Sequence, residues 1–195
     1  MDKEITFELR RQALHIVTGL AALYLIWAEL VQWTFFAVIL ATGIIVSIIS
    51  LKFKIPIIYK LLDLFERKHA KIPGQGALYL ILGILLSMVV FPRDVAMAAI
   101  IIVTLGDSIS HLGGRLFGKI KHPLNQYKLI EGTFFGFIFA FAGATLFVSM
   151  VEAVVAAGIA MFVEGIELKL HRHVFDDNMI IPIVAGVVIL TMRVF

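Results

Sequence analysis

Two carboxylates stand where an apolar chain leaves no ordinary place for them. The run Val95 to Leu105 stops at Gly106-Asp107-Ser108, and the run Ala153 to Val163 stops at Glu164. Each has 11 residues, roughly 16 Å of helix against the ~30 Å of hydrocarbon in a bilayer. For either helix to cross, its acid must lie below the headgroups. Ionisable groups at that depth are costly, face a protein interior or a wet cavity, and are functional by default. Two carboxylates at matching depth offer hard oxygen ligands to a divalent cation such as magnesium (Mg2+), which keeps several waters of its own.

Further groups gather around this pair. Glu167 lies three residues beyond Glu164 and His171 four beyond that, which places all three on one face if a single helix runs through them. Asp176-Asp177-Asn178 precedes the last apolar run. One acid suffices there as a helix N-cap, and the second, taken as Asp177, is a candidate metal ligand. Glu8, Arg11, His15 and Gly19 form one stripe of a first helix. His15 begins an apolar run, so its stripe points toward something polar, and it is a site-lining candidate. Lys128 and Glu131 sit just before Gly132, with Lys128 placed for phosphate.

The densest polar stretch is Gly106 to Lys121. Gly113 to Lys119 satisfies G-x-x-x-x-G-K, but Ile120 stands where Ser or Thr should ligate magnesium and no strand precedes it. A phosphate-binding P-loop is therefore rejected. What survives is a set of glycines, Gly113, Gly114 and Gly118, that let backbone approach a polyphosphate, with Arg115, Lys119 and Lys121 to neutralise it. Helix packing by the glycines and inner-leaflet placement of the cations compete with that reading.

The elements that must hold these groups follow from composition. Of 195 residues 61% are hydrophobic and 16% charged, far from a soluble domain of ordinary make-up. The expectation is an all-α fold, one integral membrane catalytic domain over residues 1–195. Seven spans are expected near 9–28, 31–51, 76–91, 94–113, 132–150, 152–170 and 179–194. Alternating their sides puts every Lys and Arg except Arg93 and Arg193 on one side, which predicts a cytoplasmic N-terminus and site and an outside C-terminus in the cell membrane. Ile55 to Lys71 carries Ile58, Leu61, Leu62 and Phe65 at helical spacing and reads as an interfacial amphipathic helix. Gly132, Gly136, Ala140 and Gly143 make a small-residue seam for another helix or a lipid chain. The apolar run Ile16 to Ala28 behind Arg10 and Arg11 lacks a convincing cleavage site, so it reads as a span and not a signal peptide. The absence of cysteine excludes disulfides, thiolate catalysis and Cys-based metal sites. The basic balance calls for anionic lipid or phosphorylated substrates, and no nucleic acid.

Taken in order, these segments resemble the polyprenol kinase family, which includes dolichol kinase, phytol kinase and the CTP-dependent diacylglycerol kinase of fungi. The matching pieces are Glu8 to His15 with Gly19, Gly76 to Gly83, Leu105 to Ser108 with Gly113, Arg115 and Gly118, Lys128 to Gly132, Glu164, and Asp177-Asn178 with Pro182. One departure is Leu129, where many relatives have Ser or Thr. The resemblance implies transfer of phosphate from CTP to a lipid alcohol with a divalent metal, and it points to Arg10, Arg11, Asp107, Gly114, Lys128 and Glu131.

The resulting expectation is a CTP-dependent kinase acting on a polyprenol or dolichol-type alcohol. Asp107, Glu164 and Asp177 would hold magnesium. Arg10, Arg11, Gly113, Gly114, Arg115, Gly118, Lys119 and Lys121 would line the nucleotide site, with Lys128 on the triphosphate. Glu131 or His15 would position the alcohol or take its proton. The partners are a membrane lipid alcohol and a nucleoside triphosphate, with a homodimer left open. A cytidylyltransferase making a CDP-lipid uses similar charges. A transporter would use the acids as ion sites, but it should show acids along both halves of the membrane.

Overall fold

The computed structural model describes residues 3–67, 70–166, 169–170, 173–174 and 176–195. In chain order these form α1 (Lys3–Trp27), α2 (Trp33–Lys52), α3 (Pro56–Phe65), α4 (Gln75–Val90) and α5 (Arg93–Phe117). A hairpin follows, β1 (Lys121–His122) with β2 (Asn125–Leu129), then α6 (Ile130–Ala144) and α7 (Met150–Gly165). A second hairpin, β3 (Lys169–Leu170) with β4 (His173–Val174), leads into α8 (Asp177–Val194). Both hairpins are antiparallel, and the first pairs Lys121 with Leu129 and His122 with Asn125 around a register shift. The fold is all-α apart from these short ribbons.

The axis of the molecule is α5. It packs against α1, α4, α6, α7 and α8, and 78% of its most apolar window is buried, against 11% for α2. α2 is thus the rim, with Val38, Ile45 and Ile48 turned outward, a contiguous apolar surface of the kind that faces lipid. The helix α5 passes through Gly106, Gly113 and Gly114 unbroken because each is covered. A Cβ on Gly113 would meet the Phe135 ring at 2.9 Å, and one on Gly132 would meet the Ser110 carbonyl at 2.5 Å. The α5 and α6 backbones touch where these small residues face each other.

Against α1 the axis runs antiparallel. A Cβ on Gly19 would overlap Thr104 Oγ1 at 2.1 Å, and eight to eleven residues earlier the stripe of Glu8 and Arg11 reaches the level of Arg115. The stripe Glu8, Arg11, His15 and Gly19 therefore lies along α5.

All seven expected apolar segments lie on helices, but three of those helices, α2, α5 and α8, are both long and apolar enough to cross a membrane, with mean hydropathies of 2.5, 1.8 and 1.7. The helices α4, α6 and α7 have 16, 15 and 16 residues, about 22–24 Å of rise. The segments expected at 132–150 and 152–170 are shorter because the chain turns after Ala144 and Ser149 caps α7. The Ser149 hydroxyl accepts from Glu152 N–H, and the Glu152 carboxylate accepts from Ser149 N–H. At its other end α7 stops at Gly165, so the helix face expected to join Glu164, Glu167 and His171 ends with Glu164. Glu167 and His171 lie outside the described residues. The helix expected within Ile55 to Lys71 forms as α3, opened by Pro56 in its first turn.

Candidate functional site

The two acids that end apolar runs, Asp107 and Glu164, meet at one end of the bundle, and a lysine binds the second of them. Lys128 projects from β2 and its Nζ donates to Glu164 Oε1 at 2.6 Å, to the Glu164 carbonyl at 2.5 Å and to Asp177 Oδ2 at 2.9 Å. Glu164 closes α7 and Asp177 opens α8, so this one ammonium ties together a hairpin and two helices. Burial works against its charge, but the carboxylates of Glu164 and Asp177 more than offset that and push it up to about 12.

Asp107 enters from α5. Its Oδ1 lies 3.4 Å from His111 Nε2, one helical turn along the same face, and Ser110 Oγ donates to Glu164 Oε1 at 3.2 Å. Donor atoms of Asp107, His111 and Glu164 lie within 4.8 Å of one another. The Glu164 side chain is wholly buried, yet its Oε2 has no hydrogen-bond partner among the described residues, nor do the buried His15 Nε2 and Asn178 Oδ1. Buried polar atoms are ordinarily satisfied, and Ser50, Ser108 and Thr133 also carry buried hydroxyl oxygens without a partner among the described residues.

The pair Asp176-Asp177 divides its labour. Asp176 is the N-cap of α8, accepting from Asn178 N–H at 3.1 Å, and burial pushes its carboxyl up to about 6. Asp177 is thereby left to Lys128.

Farther along α5, Arg115 stands eight residues from Asp107, about 12 Å along the same face. There Glu8 is buried and accepts from Arg11 Nη2 at 2.6 Å, Gln12 Nε2 at 2.8 Å and Arg67 Nη2 at 3.5 Å. Arg115 approaches Glu8 Oε2 at 3.8 Å and Glu4 Oε2 at 3.3 Å. Three arginines from three parts of the chain thus converge beside one buried carboxylate, an arrangement suited to a polyanion. The face of α5 grades from acid at Asp107, through His111, to base at Arg115.

The other expected residues have plainer places. Gly113 and Gly114 are buried in the α5 and α6 contact, and a Cβ on Gly118 would meet the Gly114 carbonyl and Leu129 at 2.3 Å. Arg10, Lys119 and Lys121 are exposed. Glu131 is half-buried and accepts from the backbone N–H groups of Lys119 and Ile120 at 3.0 and 3.2 Å, which pins the turn leaving α5. His15 is half-buried on α1, within the electrostatic reach of Asp107 and His111. Spacing alone overlooked His111, Ser110 and Arg67 as members of the site. The signal for His111 was present, since it sits four residues from Asp107.

No family model matches the chain, and no solved structure matches it. It is 27% identical to an uncharacterised protein of Methanocaldococcus jannaschii across 93% of this chain and 92% of that one. It is 32% identical to a probable chloroplastic phytol kinase of Glycine max across 34% of this chain and 23% of that protein. It is 22% identical to a CTP-dependent diacylglycerol kinase of Eremothecium gossypii, across 68% of this chain and 49% of the relative. The similarity points to a lipid kinase. The chain spans about a quarter and about half of the lengths of these two kinases. Together with the apolar helices, it places the protein in a membrane.

Proposed function

We propose that the chain is a CTP-dependent kinase that phosphorylates a membrane lipid alcohol of the polyprenol type. The seven helices other than α3 would cross the bilayer, the shorter α4, α6 and α7 among them, with α3 on its surface and the Lys128 cluster on the cytoplasmic side. The observation that carries the reading is the convergence of Asp107, Glu164, Asp177 and Lys128 beside the arginines of Glu8. Acids able to hold a cation adjoin bases able to hold a polyphosphate, and phosphoryl transfer asks chiefly for such positioning and charge neutralisation.

The residues present fit magnesium. Asp107 and Glu164 offer hard oxygens, and Glu164 Oε2 is buried with no partner among the described residues, while Asp177 is engaged by Lys128. Asp107 and Glu164 would hold the cation, which when bound neutralises charge on the phosphate oxygens. Arg11, Arg67 and Arg115, joined by the exposed Arg10, Lys119 and Lys121, bind and orient the triphosphate. Lys128 supplies positive charge at the reacting end. The alcohol oxygen forms a bond to the γ-phosphorus as the bond from that phosphorus to the β-phosphate oxygen breaks, and CDP leaves. The hydroxyl proton passes to His15, whose Nε2 has no partner among the described residues, in preference to Glu131, which is tied to the Lys119 turn. Gly113 and Gly114 act by bringing α6 against α5, which sets Lys128 relative to Asp107.

The test is transfer of label from the γ-phosphate of CTP into organic-extractable lipid, with a polyprenol as acceptor. The parent should label the lipid monophosphate and release CDP. Asp107→Asn and Glu164→Gln should each lower the rate about 100-fold or more. Equal labelling by parent and variants would remove both acids from the chemistry. Release of pyrophosphate with a CDP-lipid would replace the kinase by a cytidylyltransferase.

A further inference from the structure

Within the site proposed above, His111 has no assigned task, although it lies between the acid and the base ends. Its Nε2 stands 3.4 Å from Asp107 Oδ1, long for a hydrogen bond. Two ligands of one ion are spaced differently: bonds of ~2.1 Å at right angles put neighbouring donor atoms ~3.0 Å apart and opposite ones ~4.2 Å apart. The Asp107, His111 and Glu164 donor atoms, within 4.8 Å of one another, match that spacing after a slight contraction. A second observation is independent of the spacing. Glu164 has one oxygen spent on Lys128 and Ser110 and the other buried with no partner among the described residues.

We propose that His111 is the third protein ligand of the cation held by Asp107 and Glu164, and that this mixed nitrogen and oxygen site selects manganese(II) over magnesium. Magnesium is served by oxygen donors and gains little from an imidazole, whereas first-row transition metals accept both. The inference rests on the reading that Asp107 and Glu164 hold a cation, but not on the reaction that cation serves. His15 is the competing imidazole, since it too lies near Asp107.

The experiment uses the full chain in nanodiscs with Mn2+ and no nucleotide. Continuous-wave EPR counts free Mn2+, and pulsed EPR reads nitrogen bound to the retained ion, with 15N-histidine labelling to identify it. The parent should retain one Mn2+ per chain with a directly bound imidazole nitrogen, and Mg2+ should displace it only at roughly tenfold excess or more. His111→Asn should lose the nitrogen signal and most of that preference, and His15→Asn should keep both. If His111→Asn fails to fold, His15→Asn decides the matter: a histidine nitrogen that persists there keeps the assignment, and its loss there overturns it. Failure to retain Mn2+, a retained ion with no histidine nitrogen, or a nitrogen signal that survives His111→Asn would overturn the proposal. A missing nitrogen signal in a chain that still phosphorylates lipid removes His111 and leaves the kinase. A bound nitrogen in a chain that transfers no phosphate keeps the cation site and removes the kinase.

Discussion

The two ends of the helix bundle use the same residue types to opposite effect. At one end Arg93 binds Glu29 and the carbonyls of Ile26 and Trp27, while Arg193 binds Asp94 at 2.7 Å and Glu152 at 2.6 Å. Those pairs join α1 to α5 and α5 to α7 and α8, and they are largely exposed. At the other end two carboxylates share Lys128, the Glu164 side chain is wholly buried, and one of its oxygens has no partner among the described residues. Charges that only fasten helices satisfy one another. Charges arranged for a ligand are left incomplete, and holding them so costs stability that the surrounding packing must offset.

The sharpest way to break this contrast is to remove the lysine. Lys128→Met would leave the buried Glu164 facing the half-buried Asp177, and loss of one partner from a buried pair costs about 3–5 kcal/mol. A large fall in thermal midpoint is expected, with partial recovery in Lys128→Met combined with Glu164→Gln. If Lys128→Met melts like the parent, the cluster is wetter than its burial implies. The parent carries a pH signature of the same pair. The folded-state value of Lys128, about 12, is raised above its ordinary 10.5. Its stabilisation is therefore complete below about 10.5 and lost as pH rises through 12, so this group should contribute no slope to thermal stability between pH 7 and 9.

How far the sequence could carry this picture depends on distance along the chain. The apolar runs, the two acids that end them and the stripe of Glu8, Arg11, His15 and Gly19 are local patterns, and each falls on a helix. The tie from Lys128 to Glu164 and Asp177 spans 36 and 49 residues, and no periodicity encodes it. It depends on a hairpin, β1 and β2, too short to leave a strand pattern. Helix ends were also hidden. α5 continues past Gly113 and Gly114 because Phe135 and Gly132 cover them from α6, a stabilisation that local glycine propensity opposes. The convergence of Arg67 on Glu8 was hidden for the same reason, since 59 residues separate them.

Glycine substitution sharpens the comparison at intermediate cost, because it separates packing from phosphate contact. A methyl group at Gly132 would press into the Ser110 carbonyl at 2.5 Å, whereas at Gly114 the nearest atom is 3.6 Å away. Gly132→Ala should therefore lose about 1–3 kcal/mol of stability, and Gly114→Ala should melt close to the parent. Titration with a fluorescent CTP analogue then decides what Gly114 does. Unchanged affinity in Gly114→Ala assigns it to the helix contact, and lost affinity without lost stability assigns it to the nucleotide.

The smallest effect belongs to the self-satisfied end. Arg193 is about a third exposed and bridges two acids that are themselves at the surface or near it. Exposed pairs of this kind are worth about 0–1 kcal/mol, and Arg193 lies at the opposite end of α8 from Asp177. Arg193→Gln should lower the thermal midpoint slightly, by an amount that shrinks as salt is raised, and leave lipid phosphorylation at the parent rate. A variant that melts normally but phosphorylates poorly would mean that the pairs joining α5 to α7 and α8 also set the spacing of Asp107 and Glu164. The division between a fastening end and a working end would then give way to a single strained bundle in which each controls the other.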